Sequence, residues 1–358
     1  VIGATASSTP TSDGTSAVDA CSMTWPPRFG STRTLVCEDL VPIEESLRER
    51  AARDGADVTF DAGTDTAAAA AEAAAADVAV VVVNVAMGEF ADLPDLRLTG
   101  NGDELVSAVA AANPRTVVVL QTGSAVEMPW IGDVPSVVQA WYGGEQQGPA
   151  LASLLFGDTN FSGKLPMTFP ESLADTPTRT PEQYPGVFAD GSTTRPEGSE
   201  AIRQVNYTEG LQVGYRWYQE QGIEPLFPFG HGLSYTSFAY SHLRFSPSLG
   251  KGEKGVHLTF RLTNTGERAG TEVAQAYLEL PEATGEPGRR LVGWERVTLQ
   301  PGQSEDVKIT LSYADVRDLH LLQHWDERTD RWTTARGTYG VHVGGSSDTA
   351  LSRTVRIP

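Results

Sequence analysis

Eight consecutive residues, Val78–Val85, read Val-Ala-Val-Val-Val-Val-Asn-Val. A strand built from such a run has no polar face, because successive side chains point to opposite sides and both sides are apolar. It must therefore be buried above and below, which is the situation of a strand inside a parallel sheet covered by helices. Thr116–Gln121 repeats the pattern, and Ser136–Ala140 reads as a further strand. Between and around them lie segments with helical character: Ile43–Asp54, the alanine-rich Thr66–Ala76, the amphipathic Asp103–Ala112 and Gly148–Phe156. Val58–Phe60 reads as a short strand. Val1-Ile2-Gly3 reads as the last residues of another, and since a strand normally needs about five residues something is expected to precede it. Strands alternating with helices of this length predict an α/β domain: an open, mostly parallel sheet sandwiched by helices.

The pattern changes twice. Over about 171–206, Pro, Thr, Arg, Gly and Asp dominate and no hydrophobic period holds, so a long surface loop is expected, of the kind that often serves function. Tyr207–Tyr235 is rich in aromatics. After about Thr236 the period becomes two, with strands expected at Val256–Thr263, Thr271–Leu280, Arg290–Val297, Asp306–Leu311, Thr338–Val343 and Ser352–Ile357, and no helix of note. Turn signals at Asn264-Thr265-Gly266, Gln300-Pro301-Gly302 and Ala335-Arg336-Gly337 separate them. Short strands at this spacing predict an immunoglobulin-like β-sandwich. The chain is thus divided into an α/β domain over 1–235 and a β-sandwich over 236–358.

The net charge of −19 repels phosphate backbones and anionic lipid, which argues against nucleic acid and membrane surfaces as partners. No apolar stretch is long enough to span a bilayer. No phosphate loop, dinucleotide fingerprint or Gly-x-Ser-x-Gly is present, and the six histidines give no ligand cluster, so neither cofactor nor metal is expected. Cys21 and Cys37 lie in a Ser/Thr/Pro/Gly-rich stretch with no basic neighbour or further ligand. A disulfide closing this loop is the better reading, with two inert thiols as the other; a disulfide would place the protein in a secreted or extracytoplasmic setting.

Several segments, in order along nearly the whole chain, resemble the C-terminal half of glycoside hydrolase family 3, the β-glucosidase and β-xylosidase group. They are Gly88-Glu89-Phe90-Ala91-Asp92 with Leu96–Asn101, Asn113–Leu120, Ala140-Trp141-Tyr142-Gly143-Gly144-Glu145, Phe156-Gly157-Asp158, Ser162–Pro170, Tyr207–Gly210, Gly214–Tyr218 and Pro225–Tyr235. The tail, with Leu291–Val297 and Leu299–Gly302, resembles the fibronectin type III-like domain that often follows. The resemblance implies a retaining, exo-acting β-glycosidase whose (β/α)8 barrel supplies a nucleophilic Asp in a Ser-Asp-Trp type motif. That motif is missing here, so the barrel is expected upstream or on a separate chain. It implies as partner a β-linked glucoside, an oligosaccharide or a glycosylated small molecule. The alternative is a non-catalytic remnant that binds carbohydrate or protein.

By the same resemblance Glu89 is the general acid/base. Its placement agrees, four residues past a parallel strand in a Gly-containing loop. Phe90 would supply apolar surroundings that keep the acid protonated, and Asp92 would line a sugar subsite, orient the loop or repel the ionised form. Phe90 replaces the family's Gly and Leu93 its Arg. The other reading of Glu89 is an ordinary loop carboxylate. Trp141, Tyr142, Tyr215, Trp217 and Tyr218 are candidates to stack on sugar rings, though aromatics in such positions are more often core. Glu145 reads as a helix N-terminal charge and His231 as a turn residue. An uncovered apolar patch would separate the readings: a domain made to dock on a barrel should leave one.

Overall fold

The computed structural model describes residues 1–7, 41–87, 93–195, 197–198, 200–248 and 255–357. By its contacts the chain forms two compact units, Val1–Thr159 and Asn160–Pro358.

The first unit is built on β1 (Ala79–Asn84), β2 (Thr116–Gln121) and β3 (Ser136–Gln139). They pair parallel in that order, with Val81 beside Val118 and Val119 beside Val138. The helices are α1 (Ile43–Ala52), α2 (Thr66–Ala75), α3 (Gly102–Ala112) and α4 (Gln147–Leu155). Ile43 and Leu47 of α1 join Leu151 and Ala152 of α4 over Val82 and Val119 on one face of the sheet. On the other, α3 lies on β1 and β2 and carries α2 on its back. This is the two-sided burial that the valine runs require.

Local chemistry fixes the helix ends. Alanine makes α2 helical by propensity, and Asp65 starts it by accepting the Ala67 and Ala68 amides at 3.0 and 3.1 Å. The buried Asn113 finishes it, donating to the Ala73 and Ala76 carbonyls at 2.9 Å while its own oxygen accepts the Arg115 amide. The strand expected at Val58–Phe60 does not form. Asp61 makes a lone parallel bridge to Ile2, which also bridges Val81. Gly3 then turns away at φ +121°, so close to the Val82 carbonyl that a Cβ would sit 2.0 Å from its oxygen. One residue of partner is too little for a ladder.

The second unit contains two facing sheets, in the orders β12-β11-β6-β7 and β4-β5-β8. The strands are β4 (Phe238–Ser248), β5 (Gly255–Asn264), β6 (Gly270–Glu279), β7 (Arg289–Leu299), β8 (Ser304–Ser312), β9 (Gln323–Asp326), β10 (Arg331–Thr334), β11 (Gly337–Gly344) and β12 (Leu351–Ile357). Leu258, Phe260 and Leu262 meet Ala276, Leu278, Val341 and Val343 between them. Each strand expected from the period-two pattern is present. Three elements were not expected: β4, broken by a bulge between Ser241 and Arg244; the exposed β9–β10 hairpin; and a short helix, Tyr313–Asp318, begun by a Ser312/Asp315 capping box.

The described residues of 160–235 follow an irregular path with one α-helix, Tyr215–Gln221, and a single 3-10 turn, Leu173–Asp175, and cover the outer face of the β12-β11-β6-β7 sheet. Gln275 of β6 donates to the Gly230 and Gly345 carbonyls. Tyr215 stacks on Phe229, meets Tyr277 edge-on, and accepts the Leu291 amide at 2.8 Å. Lys164 and Glu272 form a largely buried ion pair at 2.8 Å. Residues 160–235 thus pack with the β-sandwich that follows them, and the contacts divide the chain after Thr159.

Candidate active-site edge of the parallel sheet

Open parallel sheets bind ligands off the carboxyl ends of their strands. At that edge lie Val85–Met87 after β1, Thr122–Ser124 after β2 and Ala140–Gly143 after β3. The loop after β1 leaves at Met87 and returns at Leu93. Glu89, Phe90 and Asp92 lie outside the described residues, as do Cys21 and Cys37. What the structure does describe is how both limbs of that loop are held.

The outgoing limb is tied at two successive residues. Val85, buried, donates its amide to the Gln121 carbonyl of β2 at 3.3 Å, and its own carbonyl accepts the Tyr142 hydroxyl at 2.6 Å. Ala86 donates to the Thr99 hydroxyl at 2.7 Å, and the Thr99 amide returns to the Asn84 carbonyl at 3.0 Å. Thr99 belongs to the returning limb, so one residue, through its hydroxyl and its amide, staples the loop's two ends together. Asn101 anchors that limb further by donating to the Gly63 carbonyl and to Thr66. The Leu96–Asn101 motif thus acts by fixing a loop root.

Tyr142 reaches this place because Trp141 adopts φ 55°, a left-handed conformation uncommon for a bulky residue. The reversal lets the ring pass over the end of β2, where Gly123 makes room: a Cβ there would lie 2.9 Å from the Met87 sulfur and 3.0 Å from Tyr142 Cε2. Burial raises the Tyr142 hydroxyl above its usual range, with the Gly123 backbone pulling it partly back, so the hydroxyl keeps its proton and donates. Gln139 completes the edge by donating to the Thr122 carbonyl and hydroxyl. Gln121 is fully buried, and neither atom of its side-chain amide has a partner among the described residues.

Tyr215, Trp217 and Tyr218 are accounted for by packing. Trp217 and Tyr218 are buried, and the Trp217 indole donates to the Asp175 carbonyl. Burial, with Lys164 nearby, lowers the pKa of His231, whose ring lies tilted against Phe227 at 5.0 Å and which closes a turn through the Pro228 carbonyl. Asp158 takes a forked bond from Arg50 at 2.6 and 2.9 Å, which holds its carboxyl below the usual range and docks α1 beside the end of α4. Glu145 precedes α4, and its carbonyl accepts the Val41 amide. Among the described residues no three His, Cys, Asp or Glu side chains are grouped to hold a metal, and no helix is long and apolar enough to cross a membrane. The sequence marks Tyr142 as a candidate to stack on sugar rings and not as a hydrogen-bond donor, and it gives no signal for Gln121.

A β-glucosidase of Rhizobium radiobacter is 40% identical over 274 residues, covering 75% of this chain and 31% of that protein. The crystal structure of DesR, a β-glucosidase from Streptomyces venezuelae in complex with D-glucose, superposes with a TM-score of 0.72 at 39% identity, over 82% of this chain and 35% of that one. The β-D-glucoside glucohydrolase of Trichoderma reesei superposes at 0.76 with 26% identity, over all of this chain and 51% of that one. The chain therefore spans about a third to a half of the length of these relatives. The fibronectin type III-like domain model matches residues 272–347, and the glycosyl hydrolase family 3 C-terminal domain model matches residues 1–235. This chain belongs to glycoside hydrolase family 3, as that family's C-terminal domain followed by a fibronectin type III-like domain.

Proposed function

We propose that the chain is the part of a retaining, exo-acting β-glycosidase, a β-glucosidase in preference, that brings the general acid/base to a nucleophile on another domain. Retaining hydrolysis uses two carboxyl groups about 5–5.5 Å apart. In this reading a barrel Asp attacks the anomeric carbon, and Glu89 first protonates the leaving oxygen and then takes a proton from water. The substrate is a terminal β-linked glucoside, whether of an oligosaccharide or of a glycosylated small molecule. The protein works outside the cytoplasm if Cys21 and Cys37 are joined.

The observation that carries the reading is an apolar segment left uncovered. Ile202, Val205, Tyr207, Leu211 and Val213, five large hydrophobics within twelve residues, are between 43% and 79% exposed. A self-contained binding module has no use for such a patch, whereas a domain that docks on a barrel does. The relatives support the sugar, since those compared are named as β-glucosidases or a β-D-glucoside glucohydrolase.

The test combines an intact mass of the natively purified protein with release of p-nitrophenol from its β-glucoside. A longer polypeptide or second chain with turnover is expected, two hydrogens lighter than the reduced form. The mass of these 358 residues alone, with no turnover, would favour a non-catalytic carbohydrate- or protein-binding remnant.

A further inference from the structure

The second unit holds a cavity of about 240 Å³, lined from the starts of β4 and β6 and from the irregular chain at 161–164 and 232–237. Phe161, Leu233 and Phe238 supply its apolar surface. Most of its hydroxyls are already engaged. Ser234 donates to the Asn160 side-chain oxygen at 3.0 Å and Thr236 to the Asn264 oxygen at 2.6 Å, while Ser237 and Thr271 pair with Thr265 and Thr298 at 2.9 and 2.8 Å. Three groups are left. The Lys164 ammonium stands 2.8 Å from Glu272 Oε1 and donates to the Gly232 carbonyl at 3.1 Å, so one of its three hydrogens remains. Glu272 Oε1 also accepts the Val273 amide at 2.7 Å, which leaves Oε2. No hydrogen bond within the described residues reaches that oxygen or the Ser162 hydroxyl. With side chains only 14% and 10% exposed, the ion pair is fixed where it stands.

We propose that this cavity binds a single neutral pyranose, one diol edge of the ring against the Lys164–Glu272 pair. The two charges lie side by side and cancel, so a cation meets Lys164 and an anion meets Glu272, and neither is favoured. A wholly apolar ligand would strip water from the spare ammonium hydrogen and carboxylate oxygen and return no bond. What fits is a neutral group with an acceptor and a donor on adjacent atoms. In a vicinal diol one hydroxyl oxygen accepts from Lys164 while its neighbour donates to Glu272 Oε2, and both bonds are charge-assisted. Ser162 is left for a third hydroxyl. The apolar surface asks for a carbon face beside the diol, which a sugar ring has and glycerol lacks. The volume falls below the roughly 300–1,000 Å³ usual for ligand pockets, so one ring is admitted and not a chain of them. This inference is independent of the role given to Glu89.

The test uses the natively purified protein and anhydroglucitol, a glucose ring without its anomeric hydroxyl and so with no glycosidic bond to cleave. Saturation-transfer NMR reads its binding. Isofagomine, a cationic glucose mimic, is present in excess to occupy a glucosidase subsite, and tetrahydropyran, the bare ring, serves as comparison. Two variants are measured beside wild type, each with its melting temperature. Ser162→Ala removes one uncommitted hydroxyl. Lys164→Met combined with Glu272→Leu replaces the pair by apolar groups of similar size, which is tolerated better than loss of one partner. We expect wild type to bind anhydroglucitol in the presence of isofagomine and not to bind tetrahydropyran. Binding should weaken about threefold in Ser162→Ala and by at least about tenfold in the double variant, the order of a neutral and of a charge-assisted hydrogen bond. The proposal is overturned if isofagomine displaces all the anhydroglucitol, if tetrahydropyran binds as well, or if a folded Ser162→Ala binds as wild type does. Should the double variant fail to fold, Ser162→Ala and the bare ring decide. If the protein has no glucosidase turnover, the same comparison still holds, and only the function proposed above fails.

Discussion

Asn113 uses both amide hydrogens and its carbonyl oxygen inside the first unit, closing α2 and turning the chain into β2. Asn113→Ala would leave the Ala76 carbonyl without its donor, the Ala73 carbonyl with the Ala76 amide alone, and the Arg115 amide without its acceptor. We expect it to lower the unfolding free energy by about 2 kcal/mol, measured by urea denaturation. Asn113→Asp should not rescue it, because a carboxylate has no hydrogens to donate; recovery by Asp would show that shape alone matters there. The Asn113-Pro114-Arg115 segment stands out in the sequence as a family match, but the reason for it is a contact 37–40 residues away. Tyr142 is similar. Its ring is visible in the sequence as a candidate for sugar stacking, whereas its bond to a carbonyl 57 residues earlier has no local signal. Residues whose role is a long-range backbone bond are the ones that reading a single chain misses.

At the scale of elements, legibility follows burial. The valine strands are readable because both faces are covered, and β5 and β8 because one face is: β8 alternates buried and exposed from Val307 to Ser312. The β9–β10 hairpin escapes notice because its tryptophans pair across the strands in solvent, Trp325 opposite Trp332 at 5.6 Å. Residues 160–235 show no period at all, since their side chains settle one by one on a sheet made by residues downstream. A prediction follows from that dependence. A chain ended at Tyr235 keeps the cover but loses the sheet beneath it, so Tyr215 and Phe229 have nothing to pack on. It should aggregate or be degraded, whereas a chain ended at Thr159 should remain soluble, as judged by size-exclusion chromatography and limited proteolysis. Equal behaviour of the two would mean that the cover folds without its sheet.

For the molecule as a whole, the uncovered segment around Leu211 contrasts with a net charge of −19. The charge favours solubility, and the patch opposes it. Leu211→Asp should make the isolated 358 residues several-fold more soluble, while in the full-length enzyme the same change should reduce activity and thermal stability together. A soluble, fully active Leu211→Asp enzyme would remove docking as the purpose of the patch. Both effects are read from the same protein preparation, by turbidity on concentration and by p-nitrophenyl glucoside turnover.

The cover over the β12-β11-β6-β7 sheet also bears on how such proteins are assembled over evolutionary time. A crossover near residue 235 would pair Gln275 with a foreign carbonyl at Gly230 and Glu272 with a foreign cation at Lys164. A crossover near 159 would carry donor and acceptor together. Residues 160–358, and not the β-sandwich alone, are then the heritable unit of exchange, and chimaeras joined at Thr159 are the ones that should inherit a working fold.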